Sequence, residues 1–426
     1  MDLLNIDIPS FNNKHKDLHQ KSLGLAQAIS GKDNDTFLEI IEKVKAFQVA
    51  IPSWALGTGG TRFGRFSGSG EPSTLEEKIS DIGLLHAINR SSGAVSMHIP
   101  WDQVEGDGQE IKAFAEEQGI IFDAVNSNTF QDQPGQEVSY KFGSLCNVDP
   151  AVRAHAVAHM KEVIDQGVKV GSKALTVWLS DGSNFPGQLD FKGALARTEA
   201  CLKEVYDYMP EDWTMLVEYK PYEPNFYSTV ISDWGTSFML ANALGERAKT
   251  LVDLGHHLPN TNIEQIVAVL LAKGKLGGFH FNDSKYGDDD VTVGALKPYQ
   301  LFLIFCELVK GMNEDPSLDL AWMIDASHNI KDPLEDILQS VEAMKLAYAQ
   351  ALLVDYKALE EAQANNDVTL GQEILQAAFR TDARPIVAEA RMQAGGAFDV
   401  IKCYREAKVR AQLTAQRGTE VKATGL

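Results

Sequence analysis

Cysteine is scarce in this chain, with only four among 426 residues. The four lie far apart and form no C-x-x-C pair, so we expect neither a disulfide framework nor a thiolate metal site. We interpret them as reduced residues of the core: Cys146, Cys201, Cys306 and Cys403.

Long hydrophobic runs are also missing from the sequence. No segment approaches the roughly 18 apolar residues that a membrane span requires. Residues 1–11 lack both the basic and the apolar region of a secretory signal. We therefore expect a cytoplasmic protein without a membrane partner.

Basic side chains are outnumbered by acidic ones. The chain carries 39 Lys and Arg against 59 Asp and Glu, a formal net charge of −20. Phosphate binding needs a basic field, so this charge argues against a nucleic-acid partner. Hydrophobic residues make up 44% of the chain, which is typical of a globular protein with a large core.

Eight short apolar runs alternate with stretches of helical spacing in the middle of the sequence. Each run shows little polar alternation, as parallel strands buried on both faces do. Eight such units favour an α/β fold of the (β/α)8 TIM-barrel type over a doubly wound sheet. The predicted strands are residues 49–58, 94–101, 120–126, 174–180, 213–220, 250–256, 276–282 and 320–326.

Helical segments flank the predicted barrel on both sides. We predict an N-terminal helical segment at 1–47, the barrel at 48–332, and a C-terminal helical extension at 333–426. From residue 351 onward the acidic and basic side chains are equal in number, so the negative charge belongs to the rest of the chain. We expect this neutral extension to pack on the barrel or on other subunits.

Four neighbouring strands of the predicted barrel end with an ionisable residue. In such barrels the functional site lies at the carboxyl ends of the strands, so these side chains are expected to converge. Three carboxylates and one imidazole suit Mn²⁺, with Mg²⁺, Co²⁺ and Zn²⁺ left open. The alternative is that Arg or Lys neutralises them in the barrel mouth. The candidate ligands are Glu218, Asp253, His280 and Asp325.

A second divalent ion is suggested by His256 and by the acidic run at 287–290. His256 follows Asp253 by three residues, so a bend after the strand brings it over the same cavity. In an extended loop Asp288 and Asp290 face the same way, whereas Asp289 points outward. The alternative is a solvated acidic loop.

Lys220 and His98 are the candidate catalytic residues outside the metal ligands. Lys220 follows Glu218 by two residues and therefore shares its inward strand face. We expect Lys220 to hold a substrate oxygen and to stabilise negative charge, although a salt bridge explains it too. His98, near the end of the second strand, is an acid or base candidate, or else a hydrogen-bonding residue of the structure.

Aromatic residues lie at or near the ends of the first four strands. Such rings commonly form the platform for the apolar face of a carbohydrate, whereas a single Trp is usually core packing. We predict a sugar-binding wall made of Trp54, Trp101, Trp178 and Phe130.

A glycine-rich segment at 57–64 follows the first strand. It lacks the spacing and the G-K-[ST] ending of a phosphate-binding loop, so nucleotide binding is not expected. We interpret it as a lid in which Phe63 or Phe66 closes the pocket. Simple loop flexibility is the alternative.

Taken together, these motifs resemble the xylose isomerase-like barrel superfamily. The resemblance rests on EYKP at 218–221, the candidate ligands above and the GDDD loop. The segments WALGTGGTRFGRF, HIPWD and FHFNDSKYGDDD resemble more narrowly the L-rhamnose isomerases of broad aldose specificity. His280, where a xylose isomerase is expected to carry a carboxylate, supports this branch.

The resemblance implies a metal-dependent isomerase that interconverts L-rhamnose and L-rhamnulose, and other aldoses and ketoses. It also implies a homotetramer that uses Mn²⁺. Asp325 is a candidate base, and the hydrogen transfer proceeds by a hydride shift or through an enediol.

Three other functions compete with this interpretation. A ketose 3-epimerase on the same scaffold usually uses a pair of glutamates, but the eighth strand here ends with Asp325. A DNA-repair endonuclease needs a basic groove, which a chain of this charge is poorly suited to form. A non-catalytic sugar- or metal-binding protein needs neither Lys220 nor a second cation.

Overall fold

The strands of the protein belong to a closed barrel and to one small sheet. The computed structural model describes residues 6–57, 66, 68–223, 227–326 and 330–420. Along the chain the described strands are β1 Ala50–Pro52, β2 Ala94–Ile99, β3 Ile121–Ser127, β4 Ala174–Val177, β5 Gly182–Ser183, β6 Thr214–Glu218, β7 Tyr222–Glu223, β8 Tyr227–Thr229, β9 Ala248–Asp253, β10 Leu276–Phe281 and β11 Ala321–Ile324.

Eight of these strands pair in parallel and close on themselves in the order β1-β11-β10-β9-β6-β4-β3-β2. Helices cover the outer face of the barrel while side chains fill its axis, so both faces of each strand are buried. Every residue of β2 and of β10 is accordingly buried. Each of the eight predicted runs overlaps one barrel strand, and the predicted (β/α)8 barrel is confirmed.

Helices connect the strands and extend the chain at both ends. Those up to the last barrel strand are α1 Ile8–Asn13, α2 Lys16–Ser30, α3 Asn34–Ala46, α4 Ser53–Leu56, α5 Leu75–Asn89, α6 Gln109–Glu117, α7 Pro150–Val170, α8 Phe191–Tyr208, α9 Trp234–Leu244, α10 Ile263–Ala272 and α11 Pro298–Glu314. After that strand follow α12 Pro333–Leu352, α13 Tyr356–Ala364, α14 Val368–Arg380, α15 Arg384–Gln393, α16 Val400–Glu406 and α17 Val409–Arg417.

Local sequence signals explain where these helices begin and end. The Asp149 side chain accepts a hydrogen bond from the backbone N–H of Ala151 at 2.8 Å, and Pro150 then opens α7. The same helix ends at Gly171, whose φ of 87° is readily adopted only by glycine.

The C-terminal extension folds back onto the N-terminal helices and the barrel. His19 of α2 contacts Glu389 of α15 at 2.5 Å, and α15 packs against α3. The extension ends in two helices, α16 and α17, which are separated at Lys408, whose φ is 53°. The three-part division of the chain stays a prediction.

The barrel axis is filled by a small apolar cluster, separate from the large core between strands and helices. Its members are Ala50, Ala94, Ala124, Leu216, Leu251 and Met323. Because several of them are alanines, a cavity of about 680 Å³ opens at the amino ends of the strands. Across the described part of the chain, none of the helices has the length and apolarity to cross a membrane.

Candidate active site

The four predicted metal ligands lie together at the carboxyl end of the barrel. Glu218 and Asp253 are the last residues of β6 and β9, His280 lies in β10, and Asp325 directly follows β11. These four strands are neighbours in the barrel. One ligand atom from each side chain lies within 4.8 Å of the others. His280 Nδ1 is 3.2 Å from Glu218 Oε1 and 3.6 Å from Asp325 Oδ2.

Glu218, Asp253 and His280 are buried and Asp325 is partly exposed, so water shields these charges poorly. Burial raises the pKa of Asp253 to about 6 and also raises that of Asp325. Burial alone lowers the pKa of His280, but Glu218, Asp325 and Asp253 outweigh it and raise that pKa to about 9. Burial opposes ionisation of Glu218 as well, yet His280 and His256 hold its pKa below the ordinary range.

The donor set fits a divalent cation. In the described part of the chain, no Lys or Arg nitrogen lies within 4 Å of the four ligands' carboxylates. His280 Nε2 is also buried without a hydrogen-bond partner there. Clustered oxygen donors and one imidazole, with no thiolate, match the ligands that Mn²⁺ and Mg²⁺ prefer. Ligation by these four residues stays a prediction.

The residues proposed for a second ion lie beside the first group. His256 Nδ1 is 3.1 Å from Glu218 Oε1, and His256 Nε2 is 2.9 Å from Asp288 Oδ1. The sequence argument assumed an extended loop at 287–290, and this assumption is wrong. Asp288 and Asp290 have φ values of 60° and 40°, in the left-handed region.

The carboxylate of Asp289 organises this loop. It accepts backbone hydrogen bonds from Lys285, Tyr286 and Gly287 at 2.8, 3.0 and 3.0 Å. Asp289 therefore folds the loop into a turn, while Asp288 contacts His256. Asp288 and Asp289 therefore point in different directions because of hydrogen bonds within the turn, and not because side chains alternate as they do in a strand.

Lys220 carries a positive charge into this acidic site. Its Nζ is 2.6 Å from Asp288 Oδ2 and 3.3 Å from Glu223 Oε1. Burial lowers the pKa of Lys220, but Asp288 and Glu223 outweigh burial and raise it. Lys220 Nζ also lies 4.9 Å from the centre of the Trp178 ring. The salt bridge and the predicted role at a substrate oxygen are thus compatible.

The predicted aromatic wall is continuous. His98 lies between three of its members, with ring centres 5.4 Å from Trp54, 4.9 Å from Trp101 and 5.6 Å from Phe130. Phe130 contacts Trp178 at 4.8 Å. The wall is therefore a chain of ring contacts, which is the kind of surface that binds the apolar face of a sugar.

His98 lies in this wall with both ring nitrogens free of hydrogen-bond partners among the described atoms. Burial lowers its pKa to about 4, so the ring is uncharged at neutral pH. Its backbone N–H donates to Asp102 Oδ2 at 2.8 Å, and Lys78 Nζ donates to Asp102 Oδ1 at 2.6 Å. This buried ion pair holds the backbone of His98 while leaving its ring available.

Several features of the site were not anticipated from the sequence. Trp54 Nε1 donates to Asp325 Oδ1 at 2.9 Å, which joins the aromatic wall to a predicted ligand. Asn282 lies between the two acidic groups, and its place two residues after His280 was the available signal.

Of the two residues predicted to close the pocket as a lid, Phe63 lies outside the described residues, and Phe66 is exposed.

Known proteins are similar to this chain in sequence and in fold. Residues 90–311 match the family model described as xylose isomerase-like TIM barrel. A probable sugar isomerase of Mesorhizobium japonicum is 52% identical over 376 residues, 88% of this chain and 87% of that protein. Another from Rhizobium meliloti is 50% identical over 398 residues, covering 93% and 92%.

Among solved structures, an L-ribulose 3-epimerase is similar with a TM-score of 0.53 and 12% identity, covering 76% of this chain and 98% of that chain. At this identity the similarity shows the fold alone. The family model spans more than half of the chain, and the two sugar isomerase relatives align along most of its length. The chain therefore belongs to the xylose isomerase-like TIM barrel family.

Proposed function

We propose that this protein is a metal-dependent aldose–ketose isomerase that interconverts L-rhamnose and L-rhamnulose and accepts other aldoses and ketoses. The observation that carries the proposal is the convergence of four potential ligand atoms within 4.8 Å of one another. A protonated lysine and a continuous aromatic wall lie beside that group, as a polar sugar with apolar ring faces requires.

The relatives support the reaction class. Two proteins that align with this chain along most of its length are probable sugar isomerases. The motifs at 54–66, 98–102 and 279–290 support the rhamnose-type branch by resemblance.

We propose two divalent ions as cofactors, with Mn²⁺ as the preferred metal. Glu218, Asp253, His280 and Asp325 would hold the first ion. Glu218 is also close to His256, which with Asp288 and Asp290 would hold the second. When bound, such ions polarise the oxygens of the open-chain sugar and orient it.

The protein side chains have separate tasks in this proposal. The ammonium group of Lys220 donates a hydrogen bond to the sugar oxygen on which negative charge develops. The uncharged ring of His98 accepts the proton of the anomeric hydroxyl and returns it to the ring oxygen as the ring C–O bond breaks and the sugar opens. Asp325 is the candidate base at the sugar carbon. The wall from Trp54 to Trp178 excludes water from the reacting face.

A reconstitution assay tests the proposed function. Purified protein is treated with a chelator, divided, and supplied with Mn²⁺, Mg²⁺, Co²⁺ or Zn²⁺ before incubation with L-rhamnose. We expect no ketose from the metal-free protein and restored ketose formation with Mn²⁺. Absence of ketose with every metal contradicts the proposal. Conversion of a ketose to its C3 epimer, without aldose formation, identifies a ketose 3-epimerase instead.

We further propose that the protein works in the cytoplasm as a homotetramer. The C-terminal extension has balanced charge and offers a surface without net repulsion between copies. Sedimentation equilibrium is expected to give four times the chain mass of 46.7 kDa. A monomer at micromolar concentration contradicts this assignment.

A further inference from the structure

Asn282 connects the two acidic groups of the candidate active site. It directly follows β10 and is 1% exposed. Its amide nitrogen is 3.0 Å and 3.1 Å from the two carboxylate oxygens of Asp253. The same nitrogen is 3.1 Å from Asp290 Oδ1. A single –NH2 group therefore donates to one residue from each proposed ion position.

The two carboxylates that share this amide oppose each other electrostatically. Oxygens of both carboxylates lie within 3.1 Å of the one amide nitrogen of Asn282. An uncharged side chain with two N–H donors reduces this opposition without adding a charge. An aspartate has no such donors and would place one more carboxylate between the two groups.

Gly255 confines the same three side chains from the other side. A Cβ atom at this glycine would lie 3.1 Å from Asn282 Oδ1 and 3.3 Å from an oxygen of both Asp253 and Asp290. The backbone N–H of Gly255 also donates to Asp253 Oδ1 at 2.7 Å. Asp253 is thus held by a donor on each side, and the carboxylates of both Asp253 and Asp290 pack closely against the backbone of Gly255.

We propose that Asn282 is a positioning residue that couples the two ion positions, so that the state of one group sets the geometry of the other. This inference rests on the two-ion site of the proposed function. Because Asn282 orients Asp253 and Asp290 jointly, loss of its amide weakens binding of both ions. A change at Asp290 reaches the first ion through the same amide.

Mn²⁺ titration of the metal-free protein tests this coupling. The proteins compared are the unmodified chain, N282A, D290N and the double variant, by calorimetry. We expect N282A to weaken binding of the first ion by about 10- to 100-fold, as loss of a hydrogen-bond partner of a ligand does. In the double variant the fold-loss in Mn²⁺ affinity should be smaller than the product of the two single losses, because both act through one amide.

The controls separate coupling from a loss of fold. N89A removes another buried amide, at the last residue of α5, which donates to Ser92 Oγ, and it should leave Mn²⁺ affinity unchanged. N282S replaces N282A if the latter does not fold. Unchanged affinity in N282A, or losses that multiply fully in the double variant, overturn the inference. Absence of Mn²⁺ binding to the unmodified chain overturns the proposed two-ion site itself.

Discussion

The two ends of the barrel are built from the same eight strands but differ in how far their charged side chains are exposed to water. At the carboxyl ends, Glu218, Asp253 and His280 are each at most 3% exposed, and His280 contacts both carboxylates. At the amino ends, several charged groups reach water. Lys173 and Asp212 there pair at 3.0 Å with 70% and 61% of their side chains exposed.

This difference shows where the fold tolerates unsatisfied charge. Solvated pairs at the base of the barrel contribute little to stability and need no ligand. Buried carboxylates at the mouth carry a desolvation cost that a bound cation offsets. Lys249 at the base and Lys220 at the mouth therefore make a matched pair for testing function.

The largest expected effect is the loss of Lys220. In K220M, turnover should fall by about 100- to 1,000-fold, because the donor at the developing negative charge is lost. Mn²⁺ binding to the first group should persist. K249M, which changes a lysine lining the cavity at the base, is the control and should keep its turnover. Steady-state kinetics with L-rhamnose, together with Mn²⁺ titration, checks both variants. Retained turnover in K220M contradicts the electrostatic role.

The pH dependence of stability should differ in sign between His98 at the mouth and Asp123 at the base. His98 at the mouth has a pKa lowered to about 4, so metal-free protein loses stability as pH falls from 6.5 to 4, by up to about 3 kcal/mol. Asp123 at the base has a pKa raised to about 6 by burial, so it weakens the fold as pH rises from 3.8 to 6.

Denaturant unfolding of the metal-free protein between pH 4 and 7 separates these two contributions. H98Q should make the rise of stability with pH shallower, and D123N should make it steeper. Equal slopes in the unmodified protein and both variants would refute the account of these two buried groups.

A smaller effect is expected at the second ion position. D290N should weaken binding of the second Mn²⁺ by about tenfold or more, and by more than it weakens binding of the first, since it removes one anionic donor. D319N, at the rim of the base cavity, is the control and should leave both binding steps unchanged. Calorimetric titration that finds a single binding step in the unmodified protein, or an unaltered second step in D290N, rules out this position.

The smallest effect is expected from W54F. This change keeps an aromatic ring in the wall but removes the 2.9 Å hydrogen bond to Asp325. We expect a loss of a few-fold in Mn²⁺ affinity, because the bond orients one ligand among four. W322F alters a tryptophan stacked on Phe281 instead and should lower only the thermal midpoint. Equal metal affinities in W54F and W322F contradict the role of the indole N–H.

The sequence predicted the barrel and the four converging residues because both leave a one-dimensional signal. An unbroken apolar run predicts a strand buried on two faces, and the residue that ends the run lies at a known end of the barrel. Glu218, Asp253 and Asp325 could be identified in this way. Their role as metal ligands stays a prediction, and the distances between their side chains are consistent with it.

Other features left no such signal. The small sheet β5-β8-β7 consists of strands of two or three residues, too short to show a period. The directions of Asp288 and Asp290 depend on backbone hydrogen bonds to Asp289, which hydrophobic patterning does not encode. Asn282 resembles any turn residue until its neighbours in space are known. Tertiary contacts decide all of these features.

The central claim is that the carboxyl end of the barrel binds a divalent cation, and anomalous diffraction from crystals grown with Mn²⁺ tests it most directly. The account predicts a manganese peak coordinated by Glu218, Asp253, His280 and Asp325. A map from such crystals with no manganese peak among these four side chains would contradict it.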